Sequence, residues 1–277
     1  MNEIRVKQKR LYKLMKTLTV FGAIFLVIYI GVSPMIAEIN QTLSTVLYYV
    51  CNVLVVAVLV VLFVYYSKYG KVESFLNNAE NEINDAGYYL TSREEKNVDS
   101  YCKVVMDDLQ KCGFYIDKSL EISDLDFYGR AMKRKEFFYV ADVINADRND
   151  VLAYLESVIY DLTMNNVKRK GDGVLCIVTD KAADDAVALS KMITPLGKKE
   201  KLKIAIAIAE TDTGRVYFLG NDKTKVQQLI ANFVMNCDLP IKDKYIGKEK
   251  LPFQEEIKDK MKDFNLKDFR NGNFYIH

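Results

Sequence analysis

The sequence predicts an α/β protein in which an N-terminal transmembrane helical hairpin is followed by a cytoplasmic mixed-sheet α/β domain. Three observations lead to this fold class. Residues 17–36 and 41–67 carry no charge at all. Positive charge is concentrated in front of the first of these stretches. Between residues 114 and 236, apolar runs typical of buried strands alternate with segments of helical periodicity.

Each apolar stretch is long enough to cross a bilayer, because about 20 residues at about 1.5 Å per residue span a hydrocarbon core of about 30 Å. The spans are predicted at about 17–36 and 42–66. A cleaved signal peptide is the alternative for the first stretch, since basic residues precede it. That stretch is longer than a signal-peptide core, no A-x-A-like site follows, and a second span comes at once. A two-helix anchor in residues 17–67 is therefore expected.

The positions of the charges predict the orientation of the hairpin. The connection from Ser33 to Thr42 contains no Lys or Arg, whereas Lys68 and Lys71 follow the second span. The positive-inside rule places both termini in the cytoplasm and a loop of about ten residues outside. We expect a multi-pass protein of a bacterial cell membrane. The bases of the N-terminal arm, residues 1–16, are Arg5, Lys7, Lys9, Arg10, Lys13 and Lys16.

Asn52 is the strongly polar residue within the spans, which contain no ionisable group. Ion paths through membranes are usually marked by ionisable residues, so the hairpin is interpreted as an anchor. We expect Asn52 to form a hydrogen bond across the hairpin or to a second copy of the chain.

Residues 68–112 are predicted to form a helical neck. One amphipathic pattern runs from Val72 to Ala86 and is ended by Gly87, and a second follows a capping box formed by Thr91 and Glu94. Connection and core packing are the expected roles of this segment, and partner binding by its first helix is the alternative.

Residues 113–236 are predicted to form the α/β domain, and residues 237–277 a charged tail ending in Phe274–Ile276. A polar turn is expected at 117–126, and Thr179 or Asp180 is expected to cap a helix that Pro195 and Gly197 close. The predicted strands are 114–116, 136–144, 174–178, 202–208 and 216–219, and the predicted helices begin near Asp147, Ala183 and Val226.

The composition excludes several kinds of chemistry. The single histidine is the last residue, His277, which removes catalysis by Ser-His-Asp or Cys-His groups. The five cysteines form no C-x-x-C pair, and neither nucleotide-binding glycine motif is present. No cofactor is therefore expected. Residues 68–277 hold 33 basic and 35 acidic residues, a balance that does not favour nucleic-acid binding.

Basic and acidic clusters remain as candidates. We expect the clusters at 133–135, 168–170 and 198–199 to be solvated loops, with phosphate or headgroup contact as the alternative. Asp180 follows a buried strand, where α/β proteins often keep active groups, although capping is the favoured interpretation. Asp124, Asp126 and Asp142 are expected near one sheet edge, where carboxylates could hold Mg²⁺.

Four segments, taken in order, resemble the Mrr-like restriction-endonuclease (PD-(D/E)xK) domain: Leu109–Ile116, the Asp124/Asp126 turn, Phe138–Asp142 and Gly173–Thr179. The resemblance covers residues 110–235 and implies that fold. In the family, a metal-binding Asp precedes a strand that carries (E/Q)-x-K. Here Val140 stands at the acid or amide position and Asp142 at the catalytic lysine position, so the resemblance implies an inactive site.

The leading hypothesis is a membrane-anchored cytoplasmic interaction or scaffold protein whose α/β domain is catalytically inactive. Its expected partners are the lipid bilayer and either a protein or further copies of the chain. One alternative is a membrane-tethered, Mg²⁺-dependent nuclease or phosphodiesterase that uses Asp124, Asp126 and Asp142, with Asp126 and Asp142 as metal ligands. Another is a defence effector whose hairpin oligomerises in the membrane.

Overall fold

The structure, a computed structural model, describes residues 2–197, 201–220 and 224–271, with the backbone alone at Asn2 and Lys71. The chain forms two compact units. One consists of Met1–Glu80 with Glu256–His277, and the other of Asn81–Glu255. Residues 198–199, 274–276 and 277, which the sequence analysis singled out, lie outside the described ranges.

The first unit is built on two long helices, α1 (Asn2–Ile39) and α2 (Gln41–Asn84), whose last turn belongs to the second unit. Asn40 alone separates them, and its Oδ1 accepts the N–H of Leu43 at 3.1 Å. The predicted outer loop of ten residues is therefore wrong. Met35–Ile39 favours helix, and Asn40 caps α2, so both helices continue through the expected loop.

Both helices carry stretches long and apolar enough to cross a membrane, Glu3–Ile39 and Gln41–Gly70. Only 6% of the most apolar window of each is buried within the protein. Val27 is 72% exposed and Phe63 is 75% exposed. Gly22 lets the helices approach closely, since a Cβ there would lie 3.2 Å from Leu54 Cδ2. The prediction of two long apolar N-terminal helices is confirmed.

The C-terminal segment contributes three short helical pieces, which are α7 (Pro252–Lys260), a 3₁₀ turn (Met261–Asp263) and α8 (Leu266–Arg270). Within the first unit, the ring of Phe75 on α2 lies 5.6 Å from that of Phe264 and 4.7 Å from that of Phe269, between centroids. From Pro252 to Arg270 the predicted charged tail is thus largely helical, and its Phe264 and Phe269 pack against α2.

In the described part of the chain, the second unit is organised around an eight-stranded mixed sheet. The strands are β1 (Tyr89–Leu90), β2 (Tyr115–Ile122), β3 (Leu125–Lys133), β4 (Glu136–Asp142), β5 (Gly171–Thr179), β6 (Ile193–Leu196), β7 (Leu202–Glu210) and β8 (Arg215–Tyr217). The path of the sheet runs β1-β8-β7-β5-β4-β3-β2, and β6 also pairs with β7. The β4–β5 and β5–β7 pairs are parallel, and the other pairs are antiparallel.

Helices cover both faces of this sheet, so alternate residues of the central strands enter two different cores. Val174, Cys176 and Val178 of β5 pack in one core, and Leu175 and Ile177 pack in the other. The first core includes α3 (Val98–Lys111) and α6 (Lys225–Leu229), and the second includes α4 (Arg148–Tyr160) and α5 (Asp184–Ser190). The predicted mixed-sheet α/β domain is confirmed.

The chief local error of the sequence analysis is the turn predicted at 117–126, where the structure has the β2–β3 hairpin. Its two turn residues, Ser123 and Asp124, have φ values of 52° and 62°, the left-handed backbone that tight hairpins need. The strand was missed because β2 is an edge strand in which half of the residues are exposed and polar residues interrupt the apolar ones.

Three helix boundaries also differ. Asn97, rather than Thr91, caps α3, because its side chain accepts the N–H of Ser100 at 3.2 Å. Ala183, rather than Thr179 or Asp180, precedes α5. Pro195 lies in the edge strand β6 and does not close a helix. Because α3 packs on the sheet, the compact unit spans 81–255 rather than the predicted 113–236.

Candidate functional site

The carboxyl ends of the parallel strands are where α/β proteins usually place active groups. In this protein, acidic side chains at those positions accept hydrogen bonds from the backbone of the connecting loops. Asp180 Oδ1 accepts the N–H of Asn145 at 2.8 Å, and this and neighbouring backbone bonds hold the pKa of Asp180 below its usual value. Glu210 Oε1 accepts the N–H of Ala182 at 3.1 Å. The carboxylate of Asp180 therefore organises a loop, a role different from the predicted helix cap.

Two of the three residues predicted for a metal site line the same pocket. Asp126 and Asp142 line one open pocket with a volume of about 440 Å³, together with Asp99 and Lys118. Asp124 is the second turn residue of the hairpin and is not among the residues that line this pocket. Within the described ranges, no group of three Asp, Glu, His or Cys side chains is close enough to hold a metal ion. The pocket brings carboxylates together without completing a donor set for Mg²⁺.

The basic N-terminal segment is the first part of α1 rather than a free arm. Arg5 is 7% exposed, and its Nε donates to Glu80 Oε1 at 2.7 Å. The Arg5 hydrogen bond lowers the pKa of the Glu80 carboxyl. Lys9 Nζ also lies 3.3 Å from Glu80. Among the described basic side chains at this end, the exposed ones are Lys7, Lys9, Arg10, Lys13, Lys16 and Lys68.

Asn52 bonds within its own helix instead of across the hairpin, and its predicted bond to a second copy of the chain stays a prediction. Its Nδ2 donates to the carbonyl of Tyr48 at 2.9 Å, one turn earlier on the same helix, and the residue is exposed. This bond satisfies the amide locally, as polar residues in apolar helices commonly do, so a bond across the hairpin is not what the structure has.

A group that the sequence analysis missed lies at the end of α4. The helix continues as a π-helical turn, Asp161–Asn165, and then stops. Lys168 N–H bonds back to the carbonyl of Leu162, six residues earlier, at 2.7 Å, which is one residue longer than the 6→1 bond that closes many α-helices. Val167 precedes Lys168 with a φ of +48°. Glycine is the usual residue at such a position, and a β-branched residue there is a conformational outlier.

Val167 is one of three exposed apolar residues at this helix end. Tyr160 is the last residue of α4, Met164 lies in the π-helical turn and Val167 follows that turn, and they are 49%, 65% and 62% exposed. We call these three residues the 160–167 ridge. Two exposed bases follow it directly, Arg169 and Lys170, and Lys168 lies over the ring of Phe137 at 5.6 Å.

A buried polar network fixes the base of the ridge. Asp161 is 2% exposed, and its Oδ2 accepts bonds from Arg130 at 2.7 Å and from the hydroxyl of Tyr139 at 2.6 Å. Asn165 and Asn166 donate to the same carboxylate at 3.0 Å. Burial raises the pKa of Asp161, but the bonds from Tyr139, Asn165 and Arg130 outweigh it and leave the pKa lowered. This network therefore ties the helix end that carries the ridge to strands β3 and β4.

Little in the sequence marked this ridge. The 168–170 cluster was predicted to be a solvated loop. It does lie in a loop, and its Arg169 and Lys170 are exposed. The strain at Val167 has no local signature, because the sequence carries no glycine where the helix ends. Comparison with protein-family models, with curated proteins and with solved structures finds no match for the chain.

Proposed function

We propose that this protein is a membrane-anchored interaction protein whose α/β domain binds an acidic protein partner through the 160–167 ridge. Helices α1 and α2 are proposed to span the cell membrane with both chain ends in the cytoplasm. The distribution of charge supports this orientation, because the exposed bases lie at the open end of the hairpin and none lies near Asn40.

The observation that carries the proposal is the conformation of Val167. A left-handed backbone costs an L-residue about 1–2 kcal/mol, and Val167 gains little burial in return because it is 62% exposed. Residues held in strained backbone conformations cluster at functional sites. Val167 therefore lowers the stability of the fold without a compensating gain from burial. We take this as support for a surface that is kept for binding.

The surroundings of the ridge indicate the chemistry of the partner. Protein interfaces typically combine an apolar centre with a polar rim, and aromatic residues, methionine and arginine are enriched in them. Tyr160 and Met164 supply the centre, and Arg169 and Lys170 supply a positive rim. We therefore expect a partner surface with an apolar pocket flanked by carboxylates, which would also speed association by electrostatic attraction.

Photo-crosslinking in cells tests this proposal. A photoreactive residue in place of Met164 in the full-length chain is expected to attach one recurring protein, and Arg169→Glu in the same chain is expected to abolish that product. The matched control carries the photoreactive residue in place of Ile144, which is also exposed, at 80%, but precedes α4 at the end away from the ridge. Equal products from positions 164 and 144 would contradict the ridge as the binding surface.

A second function, a Mg²⁺-dependent nuclease of the restriction-endonuclease-like kind, has one observation in its favour. Asp126 and Asp142 line a common pocket with Lys118, which supplies a base in addition to the two acids. Calorimetry with Mg²⁺ and a DNA-cleavage assay on the full-length protein test it. Loss of cleavage in Asp142→Asn would support the nuclease, and absence of both binding and cleavage would exclude it.

A further inference from the structure

We propose that the first unit contains a binding site for the phosphate of an anionic phospholipid headgroup, formed by α2 and the C-terminal helix α8. The inference rests on the membrane-spanning hairpin proposed above and is separate from partner binding by the ridge. The site is a pocket with a volume of about 470 Å³. We call it the interface pocket, and it is lined by Tyr66, Ser67, Lys68, Gly70, Val72, Phe269 and Arg270.

The position of the interface pocket along α2 matches the depth of lipid headgroups. The uncharged stretch of the second span ends at Ser67, and Lys68 is the first charged residue after it. The apolar helix segment that could cross a membrane ends at Gly70. Tyr66 is 61% exposed beside it, as expected of an aromatic side chain at a membrane interface.

The charges of the pocket favour an anion. Lys68 and Arg270 are both exposed cations, and none of the residues that line the pocket is acidic. In the described part of the chain, no carboxylate forms an ion pair with either of them. A phosphate between the two would receive two charge-assisted contacts, which is the chemistry that recognises phosphate elsewhere in proteins.

Arg270 is held in place for this role. Its Nη2 donates to the carbonyls of Lys68 at 2.8 Å and Ser67 at 3.4 Å, both on α2. These bonds tie the guanidinium to the α2 backbone at Lys68 and use only one of its nitrogen atoms. A planar guanidinium fixed in this way matches a phosphate better than a flexible ammonium would. A lipid, rather than free phosphate, is the proposed source because the pocket also offers apolar contact through Val72 and Phe269.

Native mass spectrometry of the full-length, detergent-solubilised protein tests the site with phosphatidylglycerol and phosphatidylcholine as probes. We expect selective retention of phosphatidylglycerol. Arg270→Gln and Lys68→Gln should each weaken it about fivefold, because each removes one charge-assisted contact to the phosphate. The matched control is Lys13→Gln, an exposed base of α1 outside the pocket, which should weaken retention by less than about twofold.

Three results would overturn the inference. Equal retention of the two lipids would show that the pocket does not select a negative headgroup. Equal losses in all three variants would show diffuse attraction rather than a site. Competition by millimolar inorganic phosphate would assign the pocket to free phosphate. Pelleting of the chain with alkali-washed membranes is measured in parallel, and its failure would refute membrane insertion instead.

Discussion

Lys191 and Asp85 form an ion pair in which both side chains are completely buried, with Nζ 2.8 Å from Oδ2. They lie 106 residues apart in the sequence. The ammonium also donates to the carbonyls of Ala86 and Phe218 at 2.8 Å, so all three of its protons have acceptors. Asp85 Oδ1 accepts the hydroxyl of Tyr89 at 2.6 Å. This network joins the chain that follows α2 to the sheet.

Lys191→Met should lower the free energy of unfolding by about 3–5 kcal/mol, because it leaves the Asp85 carboxylate buried without its counter-ion. The double variant Lys191→Met/Asp85→Leu should recover part of that loss, since no buried charge then remains. Urea unfolding of the full-length protein in mild detergent measures both. A loss below about 1 kcal/mol in the single variant would contradict the burial of the pair.

Val167→Asn should raise the free energy of unfolding by about 1 kcal/mol, because asparagine tolerates the left-handed backbone better than valine does. Asn236 gives a matched reverse case. It has a φ of +55° after a second π-helical turn, where Cys237 N–H bonds to the carbonyl of Ala231 at 2.8 Å.

Asn236→Val should therefore lower the free energy of unfolding by about the same amount as Val167→Asn raises it. Thermal unfolding of the two variants beside the parent provides the comparison. A stabilising effect of Asn236→Val would refute the account of strain. If Val167→Asn also loses the crosslinked product from position 164, the strained side chain contributes to binding.

Asp161→Asn should destabilise the protein at neutral pH by about 1.5–3 kcal/mol, since it removes a charged acceptor from Arg130 and Tyr139. The folded-state pKa of Asp161 is lowered. Its contribution to stability is thus present above the unfolded carboxyl pKa of about 3.9 and is lost as pH falls below that value.

The difference between the parent and Asp161→Asn should accordingly shrink as the pH falls below about 4. Urea unfolding at neutral pH and at several acidic pH values measures this difference. A difference that stays constant down to the lowest pH would show that the charge of Asp161 does not contribute.

Glu80→Gln should loosen the start of α1, because Arg5 is 7% exposed and loses its carboxylate partner. We expect faster cleavage by trypsin among residues 5–16 and faster amide exchange there. Lys7→Gln is the control, since Lys7 is exposed and lies 3.9 Å from an exposed Glu3. Equal protection in the Glu80 variant and the parent would show that the basic segment does not depend on this contact.

The central strands could be predicted from the sequence because each is marked by its own local run of apolar residues. β4, β5 and β7 are continuous apolar runs, and both faces of each are covered, so no long-range information was needed to find them. The edge hairpin β2–β3 could not be found in the same way. Its strand β2 exposes charged residues such as Lys118 and Glu121, which are also typical of a turn region.

The candidate sites show the same limit. Asp126 and Asp142 could be expected to approach each other because both lie at the ends of neighbouring segments, and they do line one pocket. The Asp85–Lys191 pair and the contact between Arg270 and Lys68 join residues far apart in the chain. Such pairs depend on the tertiary fold, and nothing in the local sequence indicates them.

The central claim, a hairpin in the membrane with the α/β domain on the cytoplasmic side, is tested most directly through the exposed thiol of Cys112. Cys51, Cys102 and Cys176 are buried and Cys237 is only partly exposed, so a membrane-impermeant maleimide should react chiefly at Cys112. We expect labelling of Cys112 only after the cells are broken. A Glu38→Cys/Cys112→Ser variant, with its new thiol beside the hairpin turn, should be labelled in intact cells. Labelling of Cys112 in intact cells at the rate seen in broken cells would contradict the account.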